Sequence, residues 1–257
     1  MNIIFALLIA FMARAEIREA PSMVDALADI RPGDVVVFDI DNTLLETPQV
    51  LGSDQWYTAN VAALVKSGLS EDQAGAIALK QWDQVQRITR VRTVEKITPH
   101  LVRSLQRLGV MTFALTARPV QLIETTLQQL DSQGIYFSSH GYRFHPAPDL
   151  RLRHGIIFIG INYYKGPVLN QFFAAQGLKP RRVIFIDDKI ANVQSVESAL
   201  AAAGIPSLEF RYGAADHEVQ AYRADLAEVE WTYFLRHGGL ISDTQAAQKL
   251  RGKVQSP

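Results

Sequence analysis

Asp39 and Asp41 stand one residue apart at the end of the apolar run Val35-Val36-Val37-Phe38, and Thr43 follows two positions on. Two carboxylates that close repel each other unless a cation lies between them or one of them holds a proton. Either case is chemically useful. Mg²⁺ favours hard oxygen ligands and takes only one or two carboxylates from the protein. A protonated carboxyl beside an ionised one pairs an acid with a nucleophile. A second acidic pair, Asp187-Asp188, closes the apolar run Val183-Ile184-Phe185-Ile186, and Thr116 closes a third, Val110 to Leu115. Lys165 stands where a helix begins. Alone it reads as a solvated lysine, mildly unfavourable at the positive end of a helix dipole; beside the aspartates it reads as a ligand for an anion.

Each of these groups needs an element to hold it. Residues 34–40 follow Pro32-Gly33 and are rich in β-branched residues, which predicts a strand buried on both faces, as in a parallel sheet. On an extended backbone Asp39 and Asp41 point the same way, at the carboxyl end where open α/β sheets place their ligands. Strands are likewise predicted at 110–115, 155–161, 182–187 and 207–211, with a further short one at 135–137. Helices are predicted at 23–30 with Ser22 as cap, at 54–66, and at 70–89 with a Ser70/Gln73 capping box. Others follow at 98–108 (Thr98 as cap, Pro99 at the first position), 120–130, 168–175, 192–203 and 216–236, and the tail after 241 is expected to fray. The helical stretch 46–97 interrupts the strands as an insertion. Its aromatics Trp56, Tyr57 and Trp82 read as the core of a small subdomain before they read as substrate contacts. His140, His145 and His154 match no trusted metal spacing and read as surface residues.

The composition sets bounds. The chain has 257 residues, 48% hydrophobic and 20% charged, with a formal net charge of zero and no cysteine. The charge balance leaves no basic footprint for nucleic acid, and the absence of cysteine excludes disulfides, thiol catalysis and cysteine-ligated zinc. Ile3 to Ala13 is apolar but too short to span a bilayer, and Ala13-Arg14-Ala15 suits cleavage before Glu16. Residues 1–15 are therefore expected to be a signal peptide, although Met1-Asn2 carries no basic side chain. The expected product is an exported protein, periplasmic or secreted, without stable membrane insertion; the alternative is cytoplasmic.

In order, Asp39-x-Asp41-x-Thr43, Thr116, Lys165 and Asp187-Asp188 resemble the motif set of the haloacid dehalogenase (HAD) superfamily of phosphohydrolases and phosphotransferases. Gly52-Ser53-Asp54-Gln55-Trp56, Ala114-Leu115-Thr116-Ala117-Arg118 and Tyr164-Lys165-Gly166 are similar to a bacterial branch catalogued as a domain of unknown function. The resemblance implies an α/β fold: a Rossmann-like parallel-sheet core (16–45 and 98–257) flanked by helices, with a mainly helical cap at 46–97. It implies a Mg²⁺-dependent phosphomonoesterase in which Asp39 is the nucleophile and Asp41 the general acid/base. Thr116 and Lys165 would bind the substrate phosphate. The metal would be held by Asp39, the Asp41 backbone carbonyl, Asp188 directly and Asp187 in support. Asn192 departs from the family pattern, in which another acid is common there. The expected substrate is a small phosphomonoester or a phosphoprotein. The alternatives are transfer to an alcohol acceptor, or a catalytically silent binding protein on the same scaffold.

Overall fold

The computed structural model describes residues 16–254. The apolar run and the expected cleavage signal before Glu16 lie outside them.

Among the described residues nine strands form two sheets. The strands are β1 (Ile17–Ala20), β2 (Asp34–Phe38), β3 (Leu45–Glu46), β4 (Arg92–Thr93), β5 (Met111–Thr116), β6 (Arg151–Arg153), β7 (Ile156–Phe158), β8 (Arg182–Asp187) and β9 (Ser207–Tyr212). Seven make one sheet in the order β1-β9-β8-β2-β5-β7-β6, parallel throughout except for β6. The buried run of β2 lies at its centre, between β8 and β5. Asp34 opens that strand while almost fully buried, and Arg182 of β8 neutralises it at 2.6 Å.

The helices are α1 (Met23–Leu27), α2 (Asp54–Lys66), α3 (Glu71–Gln86), α4 (Thr98–Arg107), α5 (Ile123–Ser132), α6 (Lys165–Ala175), α7 (Ile190–Ala202), α8 (Asp216–Gln220), α9 (Ala224–His237) and α10 (Asp243–Val254). Alternation along β2 explains why both faces of the sheet are covered. Val36 and Phe38 join a core with Val102 and Leu105 of α4. Val35 and Val37 join a second core with Leu169 and Phe172 of α6 and Val193 and Val196 of α7. A strand apolar on both faces requires such a helix layer on each side. The result is the α/β architecture that the sequence predicts.

The antiparallel pair β3–β4 forms the neck through which the chain enters and leaves the helical insertion. Ser53 caps α2, and the predicted Ser70/Gln73 box caps α3. Trp56 and Trp82 are buried, but their core is shared: Trp56 packs against Trp231 of α9 in a tilted pair, ring centroids 5.5 Å apart. The insertion therefore packs on the C-terminal helices as well as on itself.

Several expectations are corrected. Residues 17–20 form an edge strand paired with β9 rather than a featureless lead-in; three of the four are exposed, so no alternation betrays them. Residues 135–137 form no strand, because Ile135 N–H closes the end of α5 on Leu130 O after Gly134 turns left-handed at φ 69°. Thr98 is the first helical residue, and Ile97 stands at the cap. The predicted helix 216–236 is two helices, broken where Arg223 turns extended (φ −121°, ψ 102°). The tail after 241 is α10, packed on α9 through Ile241 and Ala246 rather than frayed.

Candidate active site

β2 ends at Phe38, so Asp39 and Asp41 lie just beyond the strand, where Asp41 forms an isolated bridge with Leu45. Asp39 is still tied to the sheet by its N–H, which donates to Ile186 O at 2.8 Å. The loop then folds back on itself. Leu44 and Leu45 N–H both donate to Ile40 O, and Asn42 takes a positive φ of 58°. The two carboxylates acquire separate cationic partners instead of sharing one.

Lys165, the first residue of α6, is 2% exposed. Its ammonium lies 2.5 Å from Asp39 Oδ1 and 2.6 Å from Asp187 Oδ2. Burial works against that charge, yet Asp187 and Asp39 outweigh it and hold the lysine above its usual pKa. Burial pushes Asp39 up to about 7; Lys165 opposes the rise, while Asp187 and Asp41 add to it.

Asp187 is saturated by protein donors. Oδ1 accepts from Lys189 N–H at 2.8 Å and Asn192 Nδ2 at 3.0 Å, and Oδ2 accepts from Lys165 and from Asn192 at 3.1 Å. Asn192, the departure from the family pattern, thus serves as a donor to Asp187. Asp188 is different: Oδ2 accepts from Asn42 Nδ2 at 3.2 Å, but Oδ1 is buried with no hydrogen-bond partner among the described residues. Burial raises its pKa well above its ordinary value, with Asp187 and Asp39 adding to the effect. Oxygens of Asp39, Asp187 and Asp188 all lie within 4.8 Å of one another, the spacing of a metal site. A cation there would satisfy the orphaned Asp188 oxygen and lower the mutual repulsion, so the donor set fits a hard divalent ion. No histidine belongs to this group; His140, His145 and His154 are exposed.

Thr116 ends β5 fully buried. Its hydroxyl accepts the Arg118 N–H at 3.1 Å, a local turn contact, rather than capping a helix. Asp41 is held by Arg118, whose Nε and Nη2 donate to its two oxygens at 2.9 and 2.8 Å. The insertion reaches the same loops through the first turn of α2: Gln55 Nε2 lies 3.4 Å from Asn42 Oδ1, and Asp54 pairs with Lys189 at 2.8 Å.

The structure thus gathers Asp39, Lys165, Asp187 and Asp188 in one cluster, with Asp41 alongside on its own guanidinium and Thr116 at the next strand end. Sequence reasoning missed the work of Arg118, Asn42 and Lys189. Arg118 stood inside a quoted motif, but nothing local to it indicates a partner 77 residues away.

A mostly parallel sheet in this order, with the acidic, hydroxyl and lysine positions at adjoining strand ends and a helix start, defines an α/β fold with its candidate site at the carboxyl ends of the strands. Residues 16–247 match the family described as "Protein of unknown function (DUF2608)", and the chain belongs to that family. A Chlamydia trachomatis serovar D protein named "Putative outer membrane protein" is 28% identical over 220 residues, covering 85% of this chain and 83% of that one. A Chlamydia pneumoniae protein of the same designation is 28% identical over 221 residues, with the same coverage of both chains. Among solved structures, a HAD family hydrolase from Deinococcus radiodurans R1 superposes with a TM-score of 0.39 at 16% identity, over 76% of this chain and 95% of that one. The class C acid phosphatase from Bacillus anthracis gives 0.36 at 16% identity, over 84% of each chain. Among the described residues no helix is long and apolar enough to cross a membrane.

Proposed function

We propose that this chain is a Mg²⁺-dependent phosphomonoester hydrolase acting through an aspartyl-phosphate on Asp39. The observation that carries the reading is the meeting, at the carboxyl ends of the central strands β2 and β8, of a buried ammonium with three carboxylates, one of which keeps an unpartnered oxygen. An ammonium suits phosphoryl oxygens, and the carboxylates suit a divalent ion beside it. Asp39 and Asp188 would hold that ion, with Asp187 held rigid behind them by Lys165, Lys189 and Asn192. When bound, the ion supplies positive charge against the transferring phosphoryl group.

The protein's own residues do the rest. Asp39 attacks phosphorus and displaces the leaving oxygen, to which Asp41 gives a proton. Water then attacks the aspartyl-phosphate, Asp41 takes a proton from it, and phosphate leaves with Asp39 restored. Lys165 and Thr116 would orient the phosphoryl oxygens. The insertion, with Gln55 and Asp54 beside the motif loops, would act as the cap that selects the leaving group.

The test is release of phosphate from an aryl phosphate by residues 16–257 with Mg²⁺ or EDTA, beside Asp39→Asn. Mg²⁺-dependent release that the variant loses supports the reading; activity retained by Asp39→Asn removes the covalent route. Adding an alcohol and assaying its phosphate ester measures transfer against hydrolysis. We further propose export of the protein, supported by the apolar run before Ala13-Arg14-Ala15 and by the names of the chlamydial relatives. A purified native protein that still begins at Met1 would overturn cleavage.

A further inference from the structure

Arg118 does more than neutralise Asp41. It is 2% exposed, yet its donors on all three nitrogens are engaged. Nε and Nη2 grip Asp41, while Nη1 donates to Thr126 Oγ1 at 3.1 Å and Gln129 Oε1 at 2.6 Å, both on α5. Its guanidinium lies over the ring of Trp82 in α3, 5.5 Å from the centroid. Gln129 in turn donates to the backbone and side-chain oxygens of Gln86, at 3.2 and 3.0 Å, and to Thr89 O at 3.1 Å. Gln86 closes the chain by donating to Gly52 O at 2.6 Å, just before α2. Gln86 and Gln129 are themselves buried. A continuous buried polar path therefore joins the insertion to one carboxylate of the candidate site. Such a path holds one geometry, because each member left unpartnered would carry its full desolvation penalty.

We propose that Arg118 is a positioning residue for Asp41, and that Trp82 and Gln86 of the insertion act on the chemistry through it. The inference rests on the phosphatase reading above for its kinetic test only. Bidentate pairing fixes both the place and the plane of the carboxylate, which a lysine at 118 would not reproduce. The insertion then contributes to the proton-transfer geometry from its buried side, in addition to any contact with substrate.

The test is a double-substitution cycle in kcat with an aryl phosphate. Arg118→Ala is expected to lower kcat by about a hundredfold, the scale of a misplaced reacting group, with KM changed less than about threefold. In an Asp41→Asn background the same substitution should cost less than about threefold, because the group it positions is already gone. Gln86→Leu should follow the same pattern with a smaller loss, and guanidinium ion should restore part of the Arg118→Ala rate while Arg118→Lys stays slow. A loss that persists in the Asp41→Asn background, or that falls on KM, would overturn the proposal and make Arg118 a direct substrate ligand. A wild-type protein inert towards phosphomonoesters would count against the phosphatase reading alone. The path is then judged by urea unfolding of Asp41→Asn, Gln86→Leu and the double variant. Departure from multiplicative unfolding constants by threefold or more, abolished in an Arg118→Met background, sustains it; strict multiplicativity overturns it.

Discussion

Replacing Glu209 by glutamine tests the electrostatics of the sheet away from the candidate site. Glu209 lies in β9 between β1 and β8, fully buried, with the Ser207 hydroxyl nearby but no hydrogen bond of good geometry to either carboxylate oxygen among the described residues. Burial pushes its pKa from 4.5 up to about 7. Below 4.5 the group is protonated in both the folded and unfolded chains and contributes no pH dependence. As pH rises above 4.5 the unfolded chain releases the proton and the folded one keeps it, so stability falls until about 7 and is constant beyond. At about 1.4 kcal/mol for each pH step, the loss across that window is roughly 3 kcal/mol. Glutamine keeps the shape and cannot ionise. Glu209→Gln should therefore nearly match the wild type at pH 4.5 and exceed it by about 3 kcal/mol at pH 8. Asp39 and Glu230, whose pKa values burial also raises, titrate in both proteins and cancel in the comparison. Urea unfolding of both proteins at the two pH values measures the difference directly. An equal stability difference at pH 4.5 and pH 8 would refute the assignment of a neutral, buried Glu209.

Three further outcomes are expected. A Cβ at Gly166 would stand 1.9 Å from Ser195 O, so Gly166→Ala should force α6 and α7 apart and lower stability by about 3 kcal/mol; a melting temperature within 2 °C of wild type would show that the helices part freely. Mg²⁺ at a hundred times its dissociation constant should stabilise the protein by about 2.7 kcal/mol. That gain should vanish in Asp188→Asn, and calorimetry with Mg²⁺ or EDTA decides; the same shift in both proteins would place the ion elsewhere. Lys165→Met leaves Asp39 and Asp187 buried without their shared counter-charge, at a cost of about 3–5 kcal/mol near neutral pH. Unfolding in urea that matches the wild type would mean that the two acids find other compensation.

What the sequence made readable follows from range. β2, β5 and β8 were legible because each is a continuous apolar run, and Asp39, Thr116 and Asp187 because each directly follows or ends one. β1 was not, since an edge strand of four residues with three exposed carries neither run nor alternation. The break between α8 and α9 was hidden because Ala221-Tyr222-Arg223 contains no glycine or proline to mark it. Arg118, Gln129 and Gln86 were illegible for a different reason. They are polar residues at buried positions, and what makes burial tolerable is a set of partners that reaches 34 to 77 residues along the chain as well as across one helix. The pairing of Asp41 with Arg118 rather than with its neighbour Asp39 is likewise a tertiary fact.

The parallel pairing of Ile17 with Glu209 also governs the order of events at synthesis. The first strand among the described residues has its only sheet neighbour almost two hundred residues later, so it stays unpaired until nearly the whole chain has been made. Closing a contact of that span is slow, because the loop entropy must be overcome before the pairing is rewarded. A segment that cannot dock early remains available to whatever machinery handles the nascent chain. That edge of the sheet is completed only once β9 has emerged.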